Sequence, residues 1–431
     1  MKRREFLQGA AAAGLTAMTA GALSSDIPKS DAERSREALM RVPRRRGQYV
    51  GGLALPPMDR IRVGFIGVGA RGPGHLAHSL VLDGVEVVAI CDIHKPSLDS
   101  AVKMVTDKGR PAPRTFGKDK DDFLNMLEMD NLDAVYIATP WEEHARMAIA
   151  AMKAGKHAFV EVPMALTIEE LWAIVDTAEE TQRHCMMLEN VNYGREELMV
   201  LNMCRMGALG ELLHGEAAYI HDLRWQMNEV GHGTGSWRTL HYAARNGNLY
   251  PTHGLGPVAQ YMNIDRGDRF DYMSSVSSPA RSRAIFARTK LPDGNPHKNL
   301  RFICGDINTS IIKTAKGRTV MVQWDEQLPR PYNRLNLIQG TKGVWGGFPG
   351  RVVIEGETES TESWVQGQGL QAIYAKYEHP LWKRLEADAE RNGGHGGMDF
   401  IMNWRIMTCL REGQPLDQNR SEERRVGKEC R

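Results

Sequence analysis

The chain has 431 residues, enough for two domains, and its 42% hydrophobic and 25% charged residues are the proportions of a soluble globular protein. A formal net charge of +2, with no aromatic residues interleaved among the Lys and Arg, argues against nucleic acid as a partner. The six cysteines, at 91, 185, 204, 304, 409 and 430, form no CxxC pair and no regular spacing, so they read as buried thiols rather than a zinc site or a disulfide framework.

Residues 1–58 read as a signal followed by a linker. Lys2, Arg3, Arg4, Glu5, Phe6 and Leu7 precede a weakly apolar, small-residue run from Gly9 to Leu23, the pattern of a twin-arginine export signal. That pattern makes the export machinery a partner and the periplasm the expected location. No cysteine follows the run, so no lipid anchor is evident. From 26 to 58, Arg34, Arg36, Arg41 and Arg44 to Arg46 lie among Ser, Pro and Gly without periodicity, as in a solvated linker.

Residues 59–189 alternate strand and helix. A buried strand, Ile61–Ile66, runs into Gly67, Gly69 and Gly72 in G-x-G-x-x-G spacing, and His75–Leu82 reads as the start of a helix. Glycines there allow a tight turn and close backbone approach, so a pyrophosphate can rest on the helix N-terminus. Strand Val85–Cys91 follows and ends at Asp92, placed to bind the adenosine ribose hydroxyls and to repel a 2′-phosphate, which favours NAD over NADP. Next come amphipathic Asp121–Met129, strand Ala134–Ala138, helix Glu143–Ala154, strand Ala158–Val160 and helix Ile168–Thr181. This is a doubly wound parallel sheet, a Rossmann dinucleotide-binding domain. Its pocket should lie at the carboxyl ends of the strands, at Asp92, at Thr139 to Trp141 and at Glu161 to Pro163.

Residues 190–420 change texture. Gly215–Ile220, Tyr272–Ser277, Asn308–Thr314, Thr319–Trp324 and Asn336–Gln339 predict a largely antiparallel sheet, giving an α/β protein with a C-terminal α+β substrate domain closing the cleft. Between them lie His221 to Trp225, the glycine-rich Gly231 to Ser236, Trp237 and Arg238, and Tyr250 to Gly254, read as cleft loops with the composition of a sugar site. Residues 421–431 have no apolar stripe and read as a non-native tail outside the fold.

The motifs Gly69 to Gly72, Thr139 to His144, Glu161 and Val162, Leu188 to Asn190, His221 to Arg224, Trp237 and Arg238, Tyr250 to Gly254, Arg330 to Asn333 and Gly393 to Asp399 together resemble glycoside hydrolase family 109. These are NAD-dependent α-N-acetylgalactosaminidases within the glucose–fructose oxidoreductase and inositol dehydrogenase superfamily. The likeness runs from residue 60 to about 420. It implies that NAD contacts Ala70, Arg71, Asp92, Trp141, Glu142, Glu143, His144, Glu161, Val162 and Asn190. It implies that a terminal amino sugar is held by Tyr219, Arg238, Tyr250, Pro251, Thr252, His253 and Tyr332. Two departures stand out. The loop from Gln226 to Trp237 is shorter than in some members, and the sequence ends soon after Pro415 to Asp417, where the family usually continues.

Many dehydrogenases of that superfamily move a proton with the lysine of a Glu-Lys-Pro triplet. Here the triplet is Glu161, Val162, Pro163, and valine cannot do so. A glycosidase that uses NAD does not need the usual carboxylate pair. Oxidation of the sugar at C3 acidifies the C2 proton, its loss expels the C1 leaving group, water adds, and C3 is reduced again. His253 is the first choice for proton transfer, with Tyr250 and Tyr219 next. Arg238 reads as a ligand clamp through its forked donors. His221, His232, His241 and His253 lack metal-ligand spacing, so no metal is expected. Trp141, Trp225 and Trp237 are candidates to stack on sugar faces. The alternative activities are an NAD(P)-dependent sugar oxidoreductase and a sugar-binding protein that retains NAD. A homo-oligomer is left open.

Overall fold

A computed structural model describes residues 47–418 of the chain. The expected export signal and the 421–431 tail lie outside the described residues. The first sheet has six parallel strands in the order β3-β2-β1-β4-β5-β6, with β1 Ile61–Ile66, β2 Val85–Cys91, β3 Arg114–Phe116, β4 Ala134–Ile137, β5 His157–Val160 and β6 Cys185–Met187. β1, β4 and β5 are short and almost wholly buried because helices cover both faces, whereas the edge strand β3 exposes Arg114 and Thr115. The helices are α1 Gly72–Ser79, α2 Lys95–Asp107, α3 Phe123–Leu127, α4 Trp141–Lys153 and α5 Ile168–Thr181. The last begins in a capping box, with the Thr167 hydroxyl accepting from the Glu170 N–H and the Glu170 carboxylate accepting from the Thr167 N–H. The strand order reverses between β1 and β4, and at that switch point a cleft opens beyond the carboxyl ends of the strands.

The second sheet has eight strands, β14-β13-β12-β11-β7-β10-β9-β8. They are β7 Leu212–Ile220, β8 Phe270–Ser277, β9 Asn308–Thr314, β10 Thr319–Asp325, β11 Leu337–Gly340, β12 Gly343–Gly346, β13 Arg351–Ile354 and β14 Val365–Gln366. Every neighbouring pair is antiparallel except β7 with β10. Helices α6 Arg195–Arg205 and α8 Thr252–Tyr261 cover it, packing Met199, Met203, Val258 and Met262 onto Val320, Val322 and Ile338. Helices α7 Thr234–Ala244 and α9 Ser282–Lys290 lie beside its cleft end, and α10 Gln371–Tyr377 adds Ile373 and Tyr377 to the core.

The chain then returns to the first domain. Helices α11 Pro380–Asn392 and α12 Met398–Glu412 place Trp382, Leu385, Phe400, Ile401 and Ile406 against Val63, Phe65, Leu76 and Tyr136. Sequence order alone assigns these helices to the substrate domain; their apolar faces are buried on the dinucleotide-binding sheet.

Three local expectations differ from the structure. The first helix starts at Gly72, with Pro73 inside its first turn where a missing N–H costs nothing, and ends at Ser79 instead of Leu82. Trp141 and Glu142 belong to the first turn of α4, and Trp237, Arg238 and His253 lie on helices α7 and α8, not on loops.

The candidate active site at the domain junction

The turn after β1 divides the work among its glycines. Gly67 has φ +86°, and a Cβ there would lie 2.6 Å from the Ala138 carbonyl across the switch point. A Cβ on Gly72 would lie 2.1 Å from the Gly67 oxygen, so the helix seats against the turn only without one. Beside Gly69 the space is open: among the described residues, chain neighbours aside, a Cβ added there would meet His232 Cε1, 3.9 Å away. That open cradle, the N-terminus of α1 and the Asp92 carboxylate at the end of β2 are a donor and acceptor set that fits a dinucleotide. Asp92 is fixed by accepting from the Val68 N–H and the His94 N–H, both at 2.8 Å, and its carboxylate keeps lone pairs for ribose hydroxyls.

Arg71 turns away from the cradle and joins a charged network on the cleft floor. Its Nε donates to Glu161 (3.0 Å) and its Nη1 to Asp399 (3.3 Å), which stands at the start of α12. His75 Nε2 lies 2.8 Å from the same Glu161 oxygen, His395 Nδ1 2.8 Å from Asp399, and Asn190 donates to Asp399 at 2.5 Å. Burial works against the Glu161 charge, but Arg71 and the hydrogen bond with His75 outweigh it and hold the carboxyl down at about 2. Asp399 is likewise buried, and His395 and Arg71 hold it far below the usual carboxylate range. The residues from Gly393 to Asp399 thus reach back from the end of the chain to the glycine turn.

Of the other residues expected at NAD, His144 is fully enclosed. Its ring nitrogens each lie 2.8 Å from a carbonyl, Pro163 on one side and Thr139 on the other. Its side chain therefore braces the two strand ends and does not face the cleft. Glu143 pairs with Arg146 at 2.9 Å, whereas Glu142 reaches across the junction toward His241, 3.4 Å away.

Trp141 and Val162 leave the first domain to join Tyr219, Tyr250, Leu223, Tyr242 and Trp324 in one apolar cluster that spans the junction. Here the sugar-side residues converge. Tyr219 and Tyr250 have ring centroids 4.8 Å apart, and His253 stands edge-on to both, at 5.1 and 4.9 Å. Helix α8 brings His253 there because Gly254 presses directly on β7; a Cβ would lie 2.3 Å from the Ala218 nitrogen. Gly256, two residues on and so on the opposite side of the helix, leaves room for Glu189 and Asn192.

Glu189, fully buried, receives His253 Nδ1 at 2.7 Å. That hydrogen bond assigns the proton to Nδ1 and leaves Nε2 with a lone pair. The second Glu189 oxygen is buried with no hydrogen-bond partner among the described residues. Burial, together with Tyr219, pushes the Tyr250 phenol well above its ordinary value, and burial near Glu326 does the same to Tyr219. Both phenols therefore stay protonated near neutral pH. His221 lies 3.4 Å from the Tyr219 hydroxyl and is pushed down by burial, so it is a neutral acceptor beside that phenol. Tyr332 meets His221 edge-on at 5.3 Å.

Arg238 differs most from its expected part. Its guanidinium ion-pairs with fully buried Glu326, donates from Nε to the Tyr242 hydroxyl (3.0 Å) and lies 4.8 Å from the centroids of both Trp141 and Tyr250. Two of its three nitrogens are thus engaged within the protein, and the guanidinium supports both rings of the cleft wall. Pro251 caps α8 and Thr252 opens it. Sequence alone leaves Glu189, Glu326 and His221 without roles, although Glu189 and His221 fall inside two of its distinctive motifs.

Two families match adjoining parts of the chain. Residues 61–189 match "Oxidoreductase family, NAD-binding Rossmann fold", and residues 193–423 match "Glycosyl hydrolase 109, C-terminal domain". A glycosyl hydrolase family 109 protein from Shewanella pealeana is 56% identical over 97% of this chain and 90% of its own length. Another, from Shewanella baltica, is 56% identical over 97% and 89%. Among solved structures, levoglucosan dehydrogenase in complex with NADH and levoglucosan superposes with a TM-score of 0.64 at 21% identity, covering 85% of this chain and 94% of that one. An inositol dehydrogenase homolog from Azotobacter vinelandii complexed with NAD+ gives 0.62 at 17% identity, covering 88% and 96%. At those identities the likeness is one of fold.

Proposed function

The chain belongs to glycosyl hydrolase family 109 and carries an NAD-binding Rossmann domain, and from that premise we propose that it releases terminal α-N-acetylgalactosamine from glycans by a redox-neutral elimination. Bound NAD would supply a hydride acceptor and donor for the sugar's C3. The observation that carries this reading is His253, held by buried Glu189 between two buried phenols. Removing a C2 proton needs a base with a free lone pair in a water-poor site, and His253 Nε2 is that base. Tyr219 and Tyr250, kept protonated by burial, donate to sugar oxygens that gain negative charge, and His221 takes up or returns a proton through Tyr219. The C3-side and C1-side proton transfers fall to this phenol pair and its partner. Val162, buried where many relatives of the fold carry a proton-moving lysine, supports a division of labour in which the second domain handles all the protons.

The test is hydrolysis in heavy water. The released sugar is expected to carry deuterium at C2, and a substrate deuterated at C3 to turn over more slowly. Hydrolysis without C2 exchange would overturn the elimination route. NADH accumulating in step with an oxidised free sugar would make the protein a dehydrogenase instead. We also propose export by the twin-arginine route, on the pattern from Lys2 to Leu23; finding the protein in the cytoplasmic fraction of fractionated cells would count against it.

A further inference from the structure

The sequence singles out His232 only as one of four histidines unsuited to a metal, yet the fold carries it from the second domain to the nucleotide turn of the first. The His232 ring stacks on His94 with centroids 3.8 Å apart and planes 18° from parallel. Among the described residues, chain neighbours aside, its Cε1 is the atom nearest the open side of Gly69, the glycine that lets a diphosphate approach the backbone. Both halves of the stack are braced. The His94 N–H donates to Asp92 (2.8 Å), and His94 Nδ1 lies 2.8 Å from the Ser97 hydroxyl, so its ring is fixed between the β2 end and α2. The His232 loop is held by Glu229, which accepts from the Gly235 N–H at 2.6 Å, and by the Ser236 hydroxyl donating to the Gly233 carbonyl at 2.7 Å. Gly233 has φ +97°, and a Cβ on Gly235 would strike the Gln226 carbonyl, so this loop admits little but the glycines it has.

We propose that His232 and His94 form an imidazole clasp closing the diphosphate end of the cleft, with His232 contributed by the substrate domain as a binding residue for the dinucleotide. An imidazole N–H beside Gly69 adds a donor to the diphosphate oxygens opposite the N–H groups of the turn. The stack ties that donor to Asp92, so the ribose and diphosphate contacts form as one unit. Because the clasp bridges the domains, the nucleotide leaves only when the junction parts, which suits a cofactor that is restored at each turnover and not exchanged. This inference rests on the NAD-binding domain and not on the identity of the sugar or on hydrolysis.

The experiment uses the full chain loaded with radiolabelled NAD and follows label loss into excess unlabelled NAD, together with the nucleotide content after gel filtration. His232→Ala is expected to speed loss roughly ten- to a hundredfold, the range of a hydrogen bond to a charged group. His94→Ala is expected to do the same in part, and the double variant to be no faster than His232→Ala, since the two share one contact. His232 is solvent-facing, and unchanged melting of the variants would confirm that the fold is intact. Label loss at the unaltered rate in His232→Ala would overturn the proposal, as would an effect of His94→Ala with none from His232→Ala.

Discussion

The two walls of the cleft treat charge in opposite ways. On the nucleotide wall Arg71, Glu161 and Asp399 are ions paired with one another, and the carboxyls are held so low that neither gains a proton near neutral pH. On the sugar wall Tyr219, Tyr250 and His221 are kept neutral by burial, and the carboxylates near them are engaged elsewhere, Glu189 with His253 and Glu326 with Arg238. A static charge can hold a ligand but cannot exchange protons, whereas a neutral phenol or imidazole can pass a proton with little rearrangement. The difference assigns holding to the first domain and proton chemistry to the second. Variants on each wall should then separate retention from turnover.

The largest effect is expected at His253. His253→Ala should lower turnover by roughly a hundredfold or more, the usual contribution of a general acid–base group, while the protein still retains NAD. Glycoside turnover and nucleotide content measured on the same preparation check this. Loss of NAD in that variant would erase the separation of the walls. Unchanged turnover would move the proton-transfer role to Tyr250 or Tyr219.

A smaller and complementary effect is expected at Asp399. Asp399→Asn keeps the shape but removes one of the two carboxylates that hold Arg71, and it weakens the hydrogen bonds from Asn190 and His395. Roughly tenfold faster NAD loss is expected, with turnover at saturating NAD within a few fold of the parent. A fall in turnover that added NAD does not restore would show that the nucleotide wall also takes part in the chemistry.

The nucleotide wall is the more legible of the two in the sequence, for physical reasons. Its strands are short apolar runs in a fixed alternation, and its glycines are constrained by a local turn, so Gly67, Gly69, Gly72 and Asp92 can be placed from neighbours in the chain. Helix α2 is faint in the sequence because it buries only Leu98, Ala101 and Val105, and β3 and β6 have three residues each. On the sugar wall the informative contacts are long-range. Glu189 and His253 are 64 residues apart, and Arg238 meets Glu326 across 88. Gly254 and Gly256 read as loop signals, yet Gly254 lets α8 pack on β7 and Gly256 lets it pack on Glu189 and Asn192, and that packing makes a helix of the expected loop around His253. The return of α12 to the first domain, which brings Asp399 to Arg71, leaves no local trace beyond the glycines that precede it.

The smallest effect distinguishes the walls by acid alone. Glu161 sits at about 2 in the folded protein against an ordinary value of 4.5, so below pH 4.5 the unfolded chain binds a proton that the folded chain refuses. Its stabilising contribution is therefore complete above pH 4.5 and is lost as the pH falls from 4.5 toward 2. A shift of that size corresponds to on the order of 3 kcal/mol, which is a few degrees of melting temperature in a chain this long. Glu161→Gln should melt a few degrees below the parent at neutral pH, and the gap should narrow as the pH falls through that window. Tyr250→Phe, on the sugar wall, removes a phenol that is neutral throughout the same range, so its gap to the parent should stay constant. Melting curves of the three proteins from pH 7 to pH 3 decide the matter. A constant gap for Glu161→Gln would mean that Arg71 and His75 do not hold the carboxylate ionised, and the charged character of the nucleotide wall would then rest on Asp399 alone.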